Sequence, residues 1–231
     1  MERRKFIKRS IFMAGSMALG NALMTACKNV TPKSESLDND FINVVSSGTG
    51  QKILVLMSAG AKEGNTDRLT NAWIDGAVAA GHSVVKANIG NVRLDGCRGC
   101  GVCQRNGNRC VVNDSMQQLY PIFAECDTIV MASPIYFWTI TAKLKSFIER
   151  LYAISVNDKY PAKNTVLLMT AGDDGEHTFD HAQNYWKIVS GVLGNKSIAT
   201  YFAGGCKGCE ADNRYIDPKH LENAYNLGRN L

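Results

Sequence analysis

The chain has 231 residues, 45% of them apolar and 20% charged, a composition that excludes disordered, collagen-like and multi-span membrane proteins. Residues 1–26 hold five basic residues and one acidic residue, so the remaining 21 basic and 20 acidic residues nearly balance. Because nucleic-acid binding requires a basic surface, we expect no nucleic-acid partner.

The first 27 residues are predicted to be an export signal. A basic stretch precedes a modestly apolar run over residues 10–23, which is too short for a permanent membrane span. Residues 3–8 resemble a twin-arginine export signal, and residues 23–27 resemble a bacterial lipobox in which Cys27 becomes the lipidated first residue. We therefore expect a signal over 1–26 and a lipoprotein facing the bacterial periplasm or the cell exterior. The alternatives are an ordinary basic leader and a buried thiol.

A polar segment over residues 27–51 is predicted to be a flexible tether between the lipid anchor and a single domain over residues 52–231. It is rich in Ser, Thr, Asn and Asp. As a flexible coil it spans roughly 25–30 Å. The domain is therefore expected to move near a membrane surface.

The body is predicted to consist of five strand–helix units. Short apolar runs predict buried strands over 53–57, 84–89, 127–132, 165–170 and 197–202. Helical periodicity predicts helices over 67–80, 115–126, 140–151, 179–193 and 218–230, with Ser115 and Gln118 at capping-box spacing. This alternation predicts an α/β fold with a doubly wound parallel sheet. Such sheets bind ligands at the carboxyl ends of their strands.

Three loops at that predicted edge suit a flavin mononucleotide. The loop 58–66 offers small residues and neutral donors before a helix, as a phosphate requires. The loop 133–139 combines a proline with aromatic residues that can cover a heterocycle, and the loop 170–174 is polar and contains glycine. The alternative for the aromatic residues is a plug in the core. The candidate cofactor-binding residues are Ser58, Lys62, Gly64, Asn65, Thr66, Ser133, Pro134, Ile135, Tyr136, Phe137, Trp138, Ala171, Gly172 and Asp173.

The tripeptide 64–66 and the stretch 133–150 resemble the flavodoxin-like NAD(P)H-dependent FMN reductases and iron–sulfur flavoproteins. The resemblance covers roughly residues 52–205. It implies a five-stranded flavodoxin-like sheet and an FMN-dependent oxidoreductase, usually a homo-oligomer, working between NAD(P)H and a small acceptor such as a quinone. The family commonly has Ser and Arg where this chain has Ala59 and Ala61, so phosphate binding is expected to depend on Ser58 or Lys62. No catalytic acid or base is assigned.

A glycine-rich loop carries four cysteines within fourteen residues. Compact spacing lets neighbouring thiolates share one iron–sulfur cluster, and zinc also accepts four thiolates. The resemblance to iron–sulfur flavoproteins implies a [4Fe–4S] centre, whereas export to an oxidising compartment favours disulfides. Cluster, disulfides, zinc and free thiols all stay open. The four candidate ligands are Cys97, Cys100, Cys103 and Cys110.

A second pair, Cys206 and Cys209, follows the last strand and is interpreted as a small disulfide or as a dithiol that exchanges electrons with the flavin. Cys126 is predicted to pack as a small apolar residue. None of the four histidines is given a role.

Export conflicts with a nicotinamide donor, because reduced nicotinamides are not expected outside the cytoplasmic membrane. The sequence therefore leaves a membrane quinol or a redox protein open as the electron donor. Two rival functions also stay open. The first is a non-enzymatic iron–sulfur or flavin electron carrier, and the second is a lipoprotein that has lost FMN.

Overall fold

The structure, a computed structural model, describes residues 39–155, 160–208 and 211–231. The predicted export signal, Cys27 and Cys209 lie outside the described residues. In the part of the chain that is described, every helix is too short or too polar to cross a bilayer.

A six-stranded sheet forms the centre of the domain. Its strands are β1 (Ile42–Ser47), β2 (Lys52–Met57), β3 (Ser83–Asn88), β4 (Thr128–Pro134), β5 (Asn164–Thr170) and β6 (Lys196–Ala203). They lie in the order β1-β3-β2-β4-β5-β6, and all neighbouring strands except β1 and β3 are parallel. The doubly wound α/β architecture is thereby confirmed.

Five helices cover both faces of the sheet. They are α1 (Asn65–Ala79), α2 (Met116–Glu125), α3 (Ala142–Arg150), α4 (Asp180–Val192) and α5 (Pro218–Arg229). One apolar core lies between the sheet and α2, α3 and α4, and the other lies between the sheet and α1 and α5. Because β2, β4 and β5 are covered on both faces, their residues form nearly continuous apolar runs.

Helices α1 and α5 cross closely at two glycines. A Cβ on Gly76 would lie 2.0 Å from the Tyr225 carbonyl oxygen, and one on Gly228 would lie 2.1 Å from the Trp73 carbonyl oxygen. Larger side chains are therefore excluded from both positions. This contact fixes α1, whose first turn faces the predicted phosphate loop.

Two predictions about the N-terminal half are wrong. The tether was predicted to extend to residue 51, but residues 42–47 form β1, an antiparallel edge strand beside β3 and the sixth strand of the sheet. The apolar pattern gave no sign of this strand, because an edge strand needs little apolar burial and Val44 is 70% exposed.

The cap of α2 also differs from the expected one. The Asp114 carboxylate accepts the Met116 N–H at 3.1 Å, and buried Ser115 Oγ has no partner among the described residues.

Candidate flavin site and cysteine loop

The three predicted flavin loops meet at the carboxyl edge of the sheet and are joined by hydrogen bonds. Ile135 N–H donates to the Thr170 carbonyl at 2.8 Å, which connects the second loop with the third. The buried hydroxyls of Thr66 and Thr170 lie 2.7 Å apart and connect the first loop with the third. One such bond contributes about 1 kcal/mol, and together they hold the loops in a fixed relation.

The first loop ends at Gly64, and α1 begins at Asn65. The first amides of a helix have no acceptor within the helix and carry its positive dipole end, so they suit a phosphate monoester. Thr66 is buried, whereas the Asn65 Nδ2 donates to the Lys207 carbonyl at 3.0 Å. Both side chains therefore help to position the loop, and the backbone amides at the start of α1 are further donors.

Of the two residues expected to replace the missing phosphate contacts, Ser58 already has a hydrogen-bond partner within the protein. Ser58 Oγ donates to the Ala132 carbonyl at 2.8 Å, so its proton points into the sheet. The Lys62 side chain is exposed. The prediction that Ser58 donates to a phosphate therefore conflicts with this geometry.

Arg214 supplies a positive charge at the same loop. This half-buried residue, which follows β6 in the chain, donates from its guanidinium to the Lys62 carbonyl at 3.2 Å. Sequence reasoning missed it, because 148 residues separate it from Thr66 and no local motif marks it. Arg214 therefore places a cation beside the loop that contains Ala61.

A buried ion pair between β3 and α1 stabilises the start of α1. Lys86 Nζ lies 2.5 Å from Asp67 Oδ1 and 2.7 Å from Asn71 Oδ1, and the two charged side chains are about one-tenth exposed. The second Asp67 oxygen accepts the Glu63 N–H at 2.9 Å. Since Glu63 has a left-handed φ of 55°, this bond stabilises an otherwise unfavourable conformation of the predicted phosphate loop.

The second loop is a tight aromatic hairpin. Tyr136 and Thr139 exchange backbone hydrogen bonds at 2.9 and 3.2 Å across Phe137 and Trp138, whose φ angles are 47° and 61°. Two consecutive positive φ angles are typical of a type I′ turn, which favours Asn and Gly rather than bulky residues. Phe137 is 94% exposed, so the alternative that these aromatic residues form a plug in the core is wrong.

Two further side chains flank this hairpin. His181 and Tyr185 of α4 line an open depression with Phe137, Trp138 and Thr139. Sequence reasoning assigned His181 no role, since its position beside the hairpin depends on the packing of α4. Ser133, by contrast, serves the loop itself: its Oγ accepts the Thr141 N–H at 3.0 Å and donates to the Pro134 carbonyl at 2.8 Å.

The third loop places Gly172 and Asp173 at the surface of the edge. Thr178 Oγ1 donates to the Asp173 carboxylate, and this bond is the main reason that the pKa of Asp173 is lowered. Cys206 N–H donates to the Ala171 carbonyl at 2.9 Å, so Cys206 lies beside this loop as expected. Burial raises the pKa of the Cys206 thiol, which favours the protonated form.

The four-cysteine loop lies between β3 and α2. Cys97 and Cys100 are exposed, Cys103 is buried and Cys110 is half-buried, and all four line one cavity of about 20 Å³. Every one of the six described cysteines is a free thiol. No three His, Cys, Asp or Glu side chains among the described residues converge on a point, as a single zinc ion would require.

A [4Fe–4S] cube has a different geometric requirement, because it takes one thiolate at each of its four irons. Four cysteines around one cavity fit that donor set, although the loop must move outward to admit the cube. Gly99 and Gly101 lie on the outer side of this loop: both have φ of 64°, and a Cβ on either would meet nothing within 4 Å. The four cysteines therefore fit the cluster in the kind and number of their donor atoms.

The base of the loop is anchored to α3. Cys97 N–H donates to Glu149 Oε2 at 3.1 Å, and a hydrogen bond from Lys145 lowers the pKa of the Glu149 carboxyl. Burial lowers the pKa of the Arg150 guanidinium, but the adjoining Asp114 carboxylate raises it by more. The Glu149 carboxylate and the Arg150 guanidinium are therefore both charged at neutral pH.

A doubly wound sheet with a helix N-terminus, an aromatic hairpin and a glycine loop at its carboxyl edge defines a flavodoxin-like protein. Residues 51–207 match the family of NADPH-dependent FMN reductases. Since the match covers more than half of the chain, the protein belongs to this family. It is an FMN-dependent oxidoreductase of the FMN reductase type.

Relatives include two archaeal iron–sulfur flavoproteins. The chain is 32% identical over 100 residues to one from Archaeoglobus fulgidus, covering 43% of this chain and 45% of that protein. It is 25% identical over 186 residues to one from Methanocaldococcus jannaschii, covering 78% and 95%. The chain thus spans less than half of the first relative and nearly all of the second.

Solved structures share the fold. An NAD(P)H:quinone oxidoreductase from Methanothermobacter marburgensis superposes with a TM-score of 0.61 at 15% identity, covering 78% of this chain and 96% of that one. An azoreductase from Bacillus anthracis superposes with a TM-score of 0.59 at 16% identity, covering 79% and 100%. At such identities the likeness concerns the fold.

Proposed function

We propose that the protein oxidises NAD(P)H and passes the electrons through FMN to a small acceptor such as a quinone. The observation that carries this proposal is the exposed aromatic hairpin at the carboxyl edge, where Phe137 and Trp138 adopt strained conformations without being buried in the core. Strain of this kind is concentrated at functional sites. The names of an NADH:quinone oxidoreductase relative and of an NAD(P)H:quinone oxidoreductase structure support the choice of donor and acceptor.

The chain's own residues would bind and orient the cofactor. The first amides of α1 and the Arg214 guanidinium would hold the phosphate, and the backbone of the hairpin would hydrogen-bond the edge of the ring system. Phe137 and Trp138 would cover a ring face, and Gly172 would let the third loop approach closely. Bound FMN supplies the capacity to accept a hydride and release electrons singly or in pairs.

The position of the edge would also allow donor and acceptor to exchange at the flavin. The depression lined by His181, Tyr185 and the hairpin is open to solvent, so that substrates would enter and leave in turn. Hydride transfer itself needs no side chain as an acid or base. Because His181 and Tyr185 line the depression, they would contact the substrate and influence which acceptor is used.

Anaerobic stopped-flow spectroscopy on the FMN-loaded full chain tests the proposal. We expect NADPH or NADH to bleach the flavin absorbance and a quinone to restore it. Bleaching by dithionite but by neither nicotinamide would contradict the donor. Bleaching by a quinol instead would favour the second candidate.

The second candidate is electron transfer from a membrane quinol or a redox protein through the cysteine loop. Exposure of Cys97 and Cys100 favours it, because a partner can approach the proposed [4Fe–4S] centre directly. Steady-state turnover with quinones distinguishes an enzyme from a non-enzymatic carrier. A carrier would be reduced and oxidised once without repeated turnover.

This second candidate also depends on export and lipid anchoring at Cys27, which we propose from the sequence alone. Metabolic labelling with a radioactive fatty acid tests the anchor. The full chain is expected to incorporate label in bacteria, and Cys27→Ser is expected to abolish it. Labelling that persists in the variant would contradict the proposed lipidation site.

We also propose that the protein is a homo-oligomer. Phe137 exposes 94% of its surface at the hairpin, an apolar area that a second copy would cover. Sedimentation of the FMN-loaded chain is expected to give at least twice the monomer mass of 25.2 kDa. A monomer at all concentrations would contradict this proposal.

A further inference from the structure

Arg150 lies beneath the four-cysteine loop. The arginine lines the same cavity as Cys97, Cys100, Cys103 and Cys110, and its side chain is 1% exposed. Its guanidinium lies 2.7 Å from a carboxylate oxygen of Asp114, which is fully buried. A permanently charged group has thus been buried directly against the proposed ligands of the cluster.

The same guanidinium connects the two ends of the loop. Arg150 Nη1 donates to the Asp95 carbonyl at 3.1 Å, two residues before the first cysteine. Its Nη2 donates to the Val112 carbonyl at 3.3 Å, two residues after the fourth cysteine. Arg150 therefore fixes the span across which all four thiols must close.

One N–H donor of the Arg150 guanidinium has no hydrogen-bond partner among the described residues. Arg150 Nε is buried and has no hydrogen-bond partner anywhere in the described residues. An unpaired buried N–H of a charged group is costly, and such a group is retained where a ligand supplies the acceptor. Sulfur atoms of a cluster and its thiolates are acceptors of that kind, and hydrogen bonds to them set cluster potentials.

We propose that Arg150 is a positioning residue for a [4Fe–4S] centre held by the four cysteines, closing the loop around it and tuning its potential. The inference rests on the cluster put forward under the proposed function. The positive charge and the free N–H both favour the reduced, more negative cluster. Asp114 opposes this effect, because its carboxylate offsets the charge of Arg150.

Because Arg150 and Asp114 carry opposite charges, removing each charge is expected to shift the midpoint potential of the cluster in opposite directions. In the anaerobically purified full chain, Arg150→Gln is expected to shift the midpoint potential downward, lowering the ratio of reduced to oxidised cluster at a fixed potential about tenfold, equivalent to about 59 mV for one electron. Asp114→Asn is expected to shift it upward. Arg150→Lys keeps the charge and is expected to restore part of the loss.

Arg109→Gln provides the matched control. Arg109 adjoins Cys110 in sequence but is exposed, so water screens its charge and the potential is expected to stay at the wild-type value. Iron, sulfide and FMN are quantified in each variant. Normal FMN content shows that the fold has survived, and if Arg150→Gln fails to fold, the Asp114→Asn and Arg150→Lys pair still decides the matter.

The outcomes distinguish the presence of the cluster from the role of Arg150. Wild-type protein without iron overturns both the cluster and this inference, while the FMN assignment stands on its flavin content. Wild-type protein with iron, and variants of Arg150 and Asp114 whose potentials are unchanged or shift in the same direction, would overturn the inference and leave the cluster in place. Opposite shifts with a silent Arg109→Gln establish it.

Discussion

Phe137 offers a test of the strain at the flavin edge. Its φ of 47° places a bulky residue in the left-handed region, at a cost of roughly 1–2 kcal/mol. Because the side chain is 94% exposed, replacing it loses almost no burial. Asparagine tolerates this conformation, so Phe137→Asn is expected to stabilise the FMN-free protein by about 1 kcal/mol.

Trp138 is the matched comparison. It has the same conformation, with φ of 61°, but only 60% exposure. Burial of the remaining two-fifths, on the order of 100 Å² at about 25 cal/mol per Å², contributes about 2.5 kcal/mol as an upper bound. That loss exceeds the relief of strain, so Trp138→Asn is expected to destabilise the protein by about 1 kcal/mol.

Thermal unfolding followed by circular dichroism measures both effects. For a domain of this size, 1 kcal/mol corresponds to roughly 2–4 °C, so the melting temperature is expected to rise for Phe137→Asn and fall for Trp138→Asn. Both variants are expected to bind FMN more weakly. A lower melting temperature for Phe137→Asn would contradict this expectation, because it would mean that the turn stores no strain.

Three further expectations concern the surroundings of the site. Arg214→Gln is expected to weaken FMN binding roughly 5–30-fold in equilibrium titration, since a half-exposed charge-assisted bond contributes about 1–2 kcal/mol, whereas Lys62→Gln should have a smaller effect; equal affinities would exclude Arg214 as a phosphate ligand. Lys86→Met leaves Asp67 buried without its partner and is expected to lower the free energy of unfolding by about 3–5 kcal/mol in urea titration; a loss below 1 kcal/mol would show that water reaches the carboxylate. Burial raises the pKa of the Cys206 thiol, so its alkylation, mapped by mass spectrometry, is expected to be slow at pH 7 and to accelerate at a higher pH than that of an exposed cysteine; rapid reaction at pH 7 would contradict this.

The sequence predicted the sheet because its central strands are buried on both faces, and runs such as residues 53–57 permit few other structures. It failed at β1, whose residues combine exposed valines with polar neighbours and are stabilised by pairing with β3. Local patterns also identified the three loops. Local patterns do not specify which side chains already form hydrogen bonds within the protein, as the hydroxyls of Ser58 and Ser133 do.

Residues that reach the site from distant parts of the chain could not be found in this way. Arg214 reaches the phosphate loop because β6 ends at the same edge, and Arg150 reaches the cysteine loop because α3 packs beneath it. Neither belongs to a local motif with its partners. In both cases the contact depends on tertiary packing, and the sequence spacing carries no signal of it.

The central claim is that the carboxyl-edge loops hold one FMN per chain. The most direct measurement is the absorption spectrum of the full chain purified anaerobically without reconstitution, with released flavin and iron quantified. Flavin bands and one FMN per chain are expected, with iron in addition if the cysteine loop holds its cluster. Protein that carries no flavin and binds none in a micromolar titration would contradict it.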